Sequence, residues 1–144
     1  MTILIHAGLA SLALMLGPLI LRRPKGDRRH RAAGYLFATA ILGTNVSAFF
    51  IYELTGGLNF IHALAVINLA TLGHALLAVR RGRIAAHMAS MAYCYAGLAA
   101  ALLVRFHDLV PLPWPLGFAA IVAATMLATE ALLRRYGAVP AGRR

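Results

Sequence analysis

Acid is the scarcest chemistry in this chain: four Asp and Glu stand against fourteen Lys and Arg in 144 residues, and only 12% of the residues are charged. A soluble domain carries about twice that share of charge, and this sequence could not cover its apolar surface in water. Cysteine is almost absent too. The single Cys94 rules out an intrachain disulfide and any CxxC metal or redox motif, and reads as packing material. No phosphate-binding glycine loop occurs, and no nucleophile–base arrangement is recognisable. The histidines at 6, 30, 62, 74, 87 and 107 are never three or four apart, so a helix-borne HxxxH motif is missing as well. The N-terminus has no basic n-region, which argues against a cleaved signal peptide.

What is present is hydrophobic residue, 61% of the total, grouped into stretches of about twenty between short basic or Pro/Gly-rich breaks. About twenty residues at 1.5 Å each is the length that crosses a hydrocarbon core of ~30 Å. The pattern predicts five spans, at about 2–21, 32–54, 58–79, 84–104 and 116–133, forming a single transmembrane domain over 1–144. The fold class expected is an all-α polytopic membrane helical bundle. On a soluble domain the net charge of +10 would suggest nucleic acid. Here the cations lie in loops beside apolar stretches, so their neighbours are the lipid bilayer and its anionic headgroups, and no nucleic acid is expected.

The first loop holds six cations, Arg22, Arg23, Lys25, Arg28, Arg29 and Arg31; the third holds three, and the tail from Arg134 holds four. The other side has only Arg105. With an odd number of spans, the positive-inside rule puts the N-terminus outside and the C-terminus inside. Tyr52, Phe60, Phe106 and Trp114 then fall near the outer boundary, and Tyr136 near the inner one. A fifth segment that re-enters without spanning is the alternative.

The six histidines are the informative residues, because an ionisable side chain at membrane depth is costly and normally faces a cavity, a partner or a cofactor. Counting ~1.5 Å per residue from mid-span, His6 and His62 lie roughly 8–11 Å toward the outside, with His107 in the outer loop. By the same rise, His74 and His87 lie roughly 7–12 Å toward the cytoplasm, with His30 near that surface. Histidines on different helices at matched depth are what a bis-histidine b-type haem requires, so His6, His62, His74 and His87 are candidate iron ligands, with His30 a further cofactor-binding candidate. Gly8, Gly34, Gly73 and Gly97 offer room for a porphyrin. His62 and His74 are ~120° apart around their helix at 100° per residue, which argues against two haems stacked on one face.

Other readings of the same residues are simpler. Membrane-boundary histidines can serve as interhelical hydrogen bonds. His30, His74 and His87 with Glu130 offer a non-haem ligand set, and His87 with Met91 offers an imidazole and a thioether one turn apart. Glu130 either bonds across the bundle to His74 or His87 or pairs with Arg134 one turn on. Asn45 and Asn68, both near mid-span, are expected to bond each other.

The order of short motifs carries a resemblance. His6 and Gly8, Lys25-Gly26 before His30 and Gly34, His62 opening the third span, Arg81-Gly82-Arg83 before His87 and Met91, then Tyr93 or Tyr95 and Arg105, together resemble the bacterial predicted membrane proteins of domain-of-unknown-function family 2306, over roughly His6 to Arg105. The resemblance implies a multi-pass protein of a bacterial cytoplasmic (inner) membrane and attaches no activity. A looser similarity is to the small diheme b-type membrane cytochromes.

The function expected is haem-b binding with transmembrane electron transfer, an oxidoreductase component at most, since no catalytic motif is complete. The alternatives are a cofactor-free structural or accessory subunit of a membrane complex, and a small proton or solute transporter using Glu130 and the inner histidines. A homo-oligomer or a partner membrane subunit belongs to each of these readings.

Overall fold

A computed structural model describes residues 1–51, 57, 60–106 and 112–135. Tyr52, Gly56, His107 and Tyr136, and the side chain of Phe60, lie outside the described residues. Among the described residues five helices follow one another: α1 Thr2–Arg22, α2 Arg28–Ala48, α3 Phe60–Arg80, α4 Ile84–Val104 and α5 Trp114–Arg135. The described residues contain no strand. The protein is an all-helical, polytopic membrane protein. Four helices, Thr2–Arg22, Ile61–Arg80, Ile84–Val104 and Trp114–Arg135, are long and apolar enough to cross a bilayer.

The exception is α2, and its composition explains why. Arg28, Arg29 and Arg31 occupy its first turn, and Thr44, Asn45 and Ser47 lie near its end. Those three polar residues are buried together with Phe37, Ala38, Ala40 and Ile41. The polarity of α2 therefore faces protein, where each side chain reaches a carbonyl: Thr44 Oγ1 donates to Ala40 O, Asn45 Nδ2 to Ile41 O and Ser47 Oγ to Thr44 O, at 2.8, 2.8 and 2.9 Å. Bonded this way, a hydroxyl or amide can be buried without the cost of an unmet polar group.

The boundaries of α2 also differ from the span read from hydropathy. The helix opens at Arg28, before Ala32, because the Asp27 carboxylate caps it by accepting from the His30 N–H. It closes at Ala48, short of Leu54. Phe49, Phe50 and Ile51 turn tightly on the carbonyls of Val46, Ser47 and Ala48, so the apolar run continues after the helix has ended.

The cations between helices have structural work of two kinds. Lys25 Nζ donates to the Ile20 and Leu21 carbonyls at 2.9 and 2.8 Å, supplying donors to the last turn of α1, and Gly26 at φ +86° turns the chain toward Asp27. After α3, Gly82 at φ +70° lets Arg83 N–H reach Ala78 O at 2.9 Å and Gly82 N–H reach Val79 O at 3.1 Å. That bond pair is the Schellman stop.

By compactness the chain forms two units, Met1–Ala70 and Thr71–Arg144, with the boundary falling inside α3. In the first unit α1 packs along α2, and in the second α4 packs along α5. Both cores are rich in alanine: Ala13, Ala38, Ala40, Ala48 and Ala65 in the first, and Ala75, Ala78, Ala96 and Ala100 in the second. Small residues let helix backbones approach closely, which is what drives association where lipid removes the hydrophobic effect between helices. Large apolar side chains point outward instead. Leu4, Met15 and Leu127 are at least 70% exposed, as expected of surfaces solvated by acyl chains.

Candidate histidine sites

In the first unit two histidines meet the C-terminal end of α2. His6, on α1, places Nδ1 at 3.0 Å from the Thr44 carbonyl oxygen and 3.1 Å from Ser47 Oγ. A carbonyl can only accept, so Nδ1 carries a proton, and in the neutral form of the ring the lone pair is then on Nε2. The Ser47 hydroxyl gives its own proton to the same carbonyl and accepts from the imidazole. His62, near the start of α3, is 5% exposed, with its ring centroid 5.7 Å from that of Phe49 at a 49° tilt.

In the second unit His74 and His87 tie α3 and α4 together reciprocally. His74 Nδ1 is 2.8 Å from Ser90 Oγ on α4, and His87 on α4 donates from Nδ1 to the Ala75 carbonyl on α3 at 2.9 Å. His74 adjoins Ala75, and His87 lies one turn before Ser90, so the two imidazoles sit at the same level of the helix pair. His87 again has its proton fixed on Nδ1 by a carbonyl. On α3 itself His62 is buried and His74 exposed, in keeping with their difference in helical phase. His30 is placed in the first turn of α2, in the first unit, half-buried and with its backbone N–H on Asp27.

Glu130 meets neither inner histidine. Arg134 Nε donates to its Oε1 at 2.9 Å, one turn along α5, and the Tyr93 hydroxyl of α4 donates to its Oε2 at 2.6 Å. The carboxylate thus fastens α5 to α4. Among the described residues no three His, Cys, Asp or Glu side chains gather to hold a metal ion. Asn45 donates its amide within its own helix, to the Ile41 carbonyl at 2.8 Å.

The glycines divide as well. A Cβ at Gly8, Gly34 or Gly73 would meet nothing within 4 Å, whereas at Gly43 it would lie 2.7 Å from Leu9 Cδ1. Gly43 is therefore where α1 presses on α2, a residue that sequence reading passed over although Gly43 and Ser47 form a small-xxx-small pair. Ser47 and Ser90 were also missed, since nothing in a lone serine announces a histidine partner.

Short motifs in a fixed order now have structural roles: Lys25-Gly26 closes α1 and turns into α2, Arg81-Gly82-Arg83 closes α3, and His6 and His87 each bond a neighbouring helix. The sequence profile of predicted membrane protein DUF2306 matches residues 3–134. The chain belongs to that family. The match extends beyond the Arg105 at which the motifs end and takes in Glu130 and Arg134, the α5 side of the α4–α5 tie. No curated protein and no solved structure matches the chain.

Proposed function

We propose that this DUF2306 protein binds b-type haem through its histidines and carries electrons across the membrane. One observation supports the reading above the others: His6 and His87 both donate Nδ1–H to a backbone carbonyl of the adjoining helix. A histidine that ligates iron through Nε2 needs that arrangement, since the carbonyl fixes the tautomer, holds the ring and raises the basicity of the ligating nitrogen. His62 and His74 are the partners expected for His6 and His87. The haem would supply the redox chemistry and the helices a dry setting.

The same bonds also favour a second reading, a cofactor-free accessory subunit, because they join α1 to α2 and α3 to α4 whether or not iron is present. Under either reading the excess of loop cations supports an N-terminus outside and a C-terminus in the cytoplasm of a bacterial inner membrane, with the α1–α2 loop among anionic headgroups.

The visible spectrum of detergent-purified protein, oxidised and dithionite-reduced, after expression with a haem precursor, separates the two readings. Haem binding predicts low-spin b-type bands that His6→Ala or His87→Ala each diminish while helix content is retained. A protein that folds, stays monodisperse and shows no such bands overturns the haem reading and leaves the accessory subunit.

A further inference from the structure

The exposed residues of α2 lie on one side of the helix, and one stripe of them runs its whole length. Arg28, Arg31, Tyr35, Leu42 and Val46 are all exposed, and at 100° per residue they fall within ~60° of one another around the helix. The opposite face is the buried one. Along the stripe the chemistry is graded: two guanidinium groups, then Tyr35 at 71% exposure and the exposed Thr39 beside it, then Leu42 at 48% and Val46 at 44%. From Arg31 to Leu42 the helix rises ~16 Å, about half of a ~30 Å hydrocarbon core. The order is that of one phospholipid read from phosphate through glycerol to acyl chain.

The charged groups around the α1–α2 connection are not equivalent in this respect. Lys25 is held by the carbonyls that end α1, and Asp27 by the amide that opens α2, so both are committed to the helix ends. Arg28 and Arg31 have their guanidinium groups at the top of an apolar stripe, where planar, bidentate donors match a phosphate. A free anion or a soluble acidic protein would be recognised by the charge alone and would leave Tyr35, Leu42 and Val46 without a role. A phospholipid uses both ends.

We propose that the exposed face of α2 is a binding site for an anionic phospholipid, with the headgroup phosphate on Arg28 and Arg31, the glycerol region beside Tyr35, and an acyl chain along Leu42 and Val46. The proposal rests on the placement of the α1–α2 loop among headgroups and is independent of haem. It is tested on the full-length protein in a neutral detergent by titrating phosphatidylglycerol or phosphatidylcholine, reading the thermal midpoint and, by native mass spectrometry, the lipids retained. Phosphatidylglycerol should raise the midpoint and stay bound while phosphatidylcholine does neither. Arg28→Gln and Arg31→Gln should each weaken the response about fivefold, the equivalent of one surface cation.

Lys25→Met should lower the midpoint in detergent alone and keep the full response to phosphatidylglycerol. An equal response to both lipids, an undiminished response in the arginine variants, or the same shift from inorganic phosphate overturns the site. So does a change of oligomeric state in the arginine variants with no change in lipid retained, which would assign the stripe to a second copy of the chain. If an arginine variant fails to fold, the wild-type comparison of the two lipids by mass spectrometry decides the matter. A topology reporter read in parallel identifies a failure of the loop placement, which is a different result from loss of lipid preference with the loop where it is expected.

Discussion

At Gly82 a single hydrogen atom in place of a side chain decides how α3 ends. The residue sits at φ +70°, a region that costs a residue with a Cβ roughly 1–2 kcal/mol, and its conformation lets Arg83 bond back to Ala78. Gly82→Ala should therefore lower unfolding stability in detergent by about 1 kcal/mol with helix content retained, and a stability equal to wild type would mean that this stop does not form. Asp27 acts at the opposite kind of terminus. Asp27→Ala removes the acceptor of the His30 N–H and should cost about 1 kcal/mol, with Asp27→Asn recovering most of it, because an amide oxygen also caps. Both residues are conspicuous in the sequence as breaks between apolar runs. Their separate jobs are not, since a positive φ and a capping bond are properties of the turn that forms.

Between elements, α1 and α2 are held by contacts that repeat at one-turn spacing. His6 and Leu9 share a face of α1, and they meet Thr44 with Ser47, and Gly43, respectively. Replacing His6 by Ala should cost about 0.6 kcal/mol, the average for an interhelical hydrogen bond in a membrane, in protein without haem. At Gly43 size is the test. Gly43→Ala displaces only the flexible end of Leu9 and should be close to neutral, whereas Gly43→Leu forces the helices apart and should cost about 1–3 kcal/mol; a fully stable Gly43→Leu protein would sink the assigned contact. On the α4–α5 pair, Tyr93→Phe and Glu130→Gln should each loosen α5. Their double variant should lose less than the sum, because Tyr93→Phe deletes the hydrogen bond that Glu130→Gln only weakens by neutralising its acceptor.

For the whole molecule the deciding quantity is parity. Four helices are long and apolar enough to span by composition, and α2, with 21 residues, matches them in length at ~31 Å, its polar groups turned toward protein. Counting α2 as a span makes the number odd and puts the termini on opposite sides. A reporter fused after Arg144 should then read cytoplasm, and a membrane-impermeant label on a cysteine at Gly57, in a Cys94→Ala background, should react from outside. Reaction from inside at Gly57 would remove α2 from the membrane and reverse the orientation argument for everything after it.

The sequence by itself determined the fold class, the helix count and the membrane as solvent, because these depend on apolar runs and on where charge interrupts them, quantities that survive without any tertiary contact. It also singled out His6, His62, His74 and His87, since imidazoles are conspicuous in an apolar chain. Only the tertiary structure decided what they touch. The acceptors of His6 and His87 are the backbone carbonyls of Thr44 and Ala75, groups that every residue carries and no sequence pattern marks, and Ser90 becomes a partner only because α3 and α4 lie side by side. Glu130 shows the same division: its pairing with Arg134 follows from helical spacing along one element, whereas its bond to Tyr93 required two helices to meet.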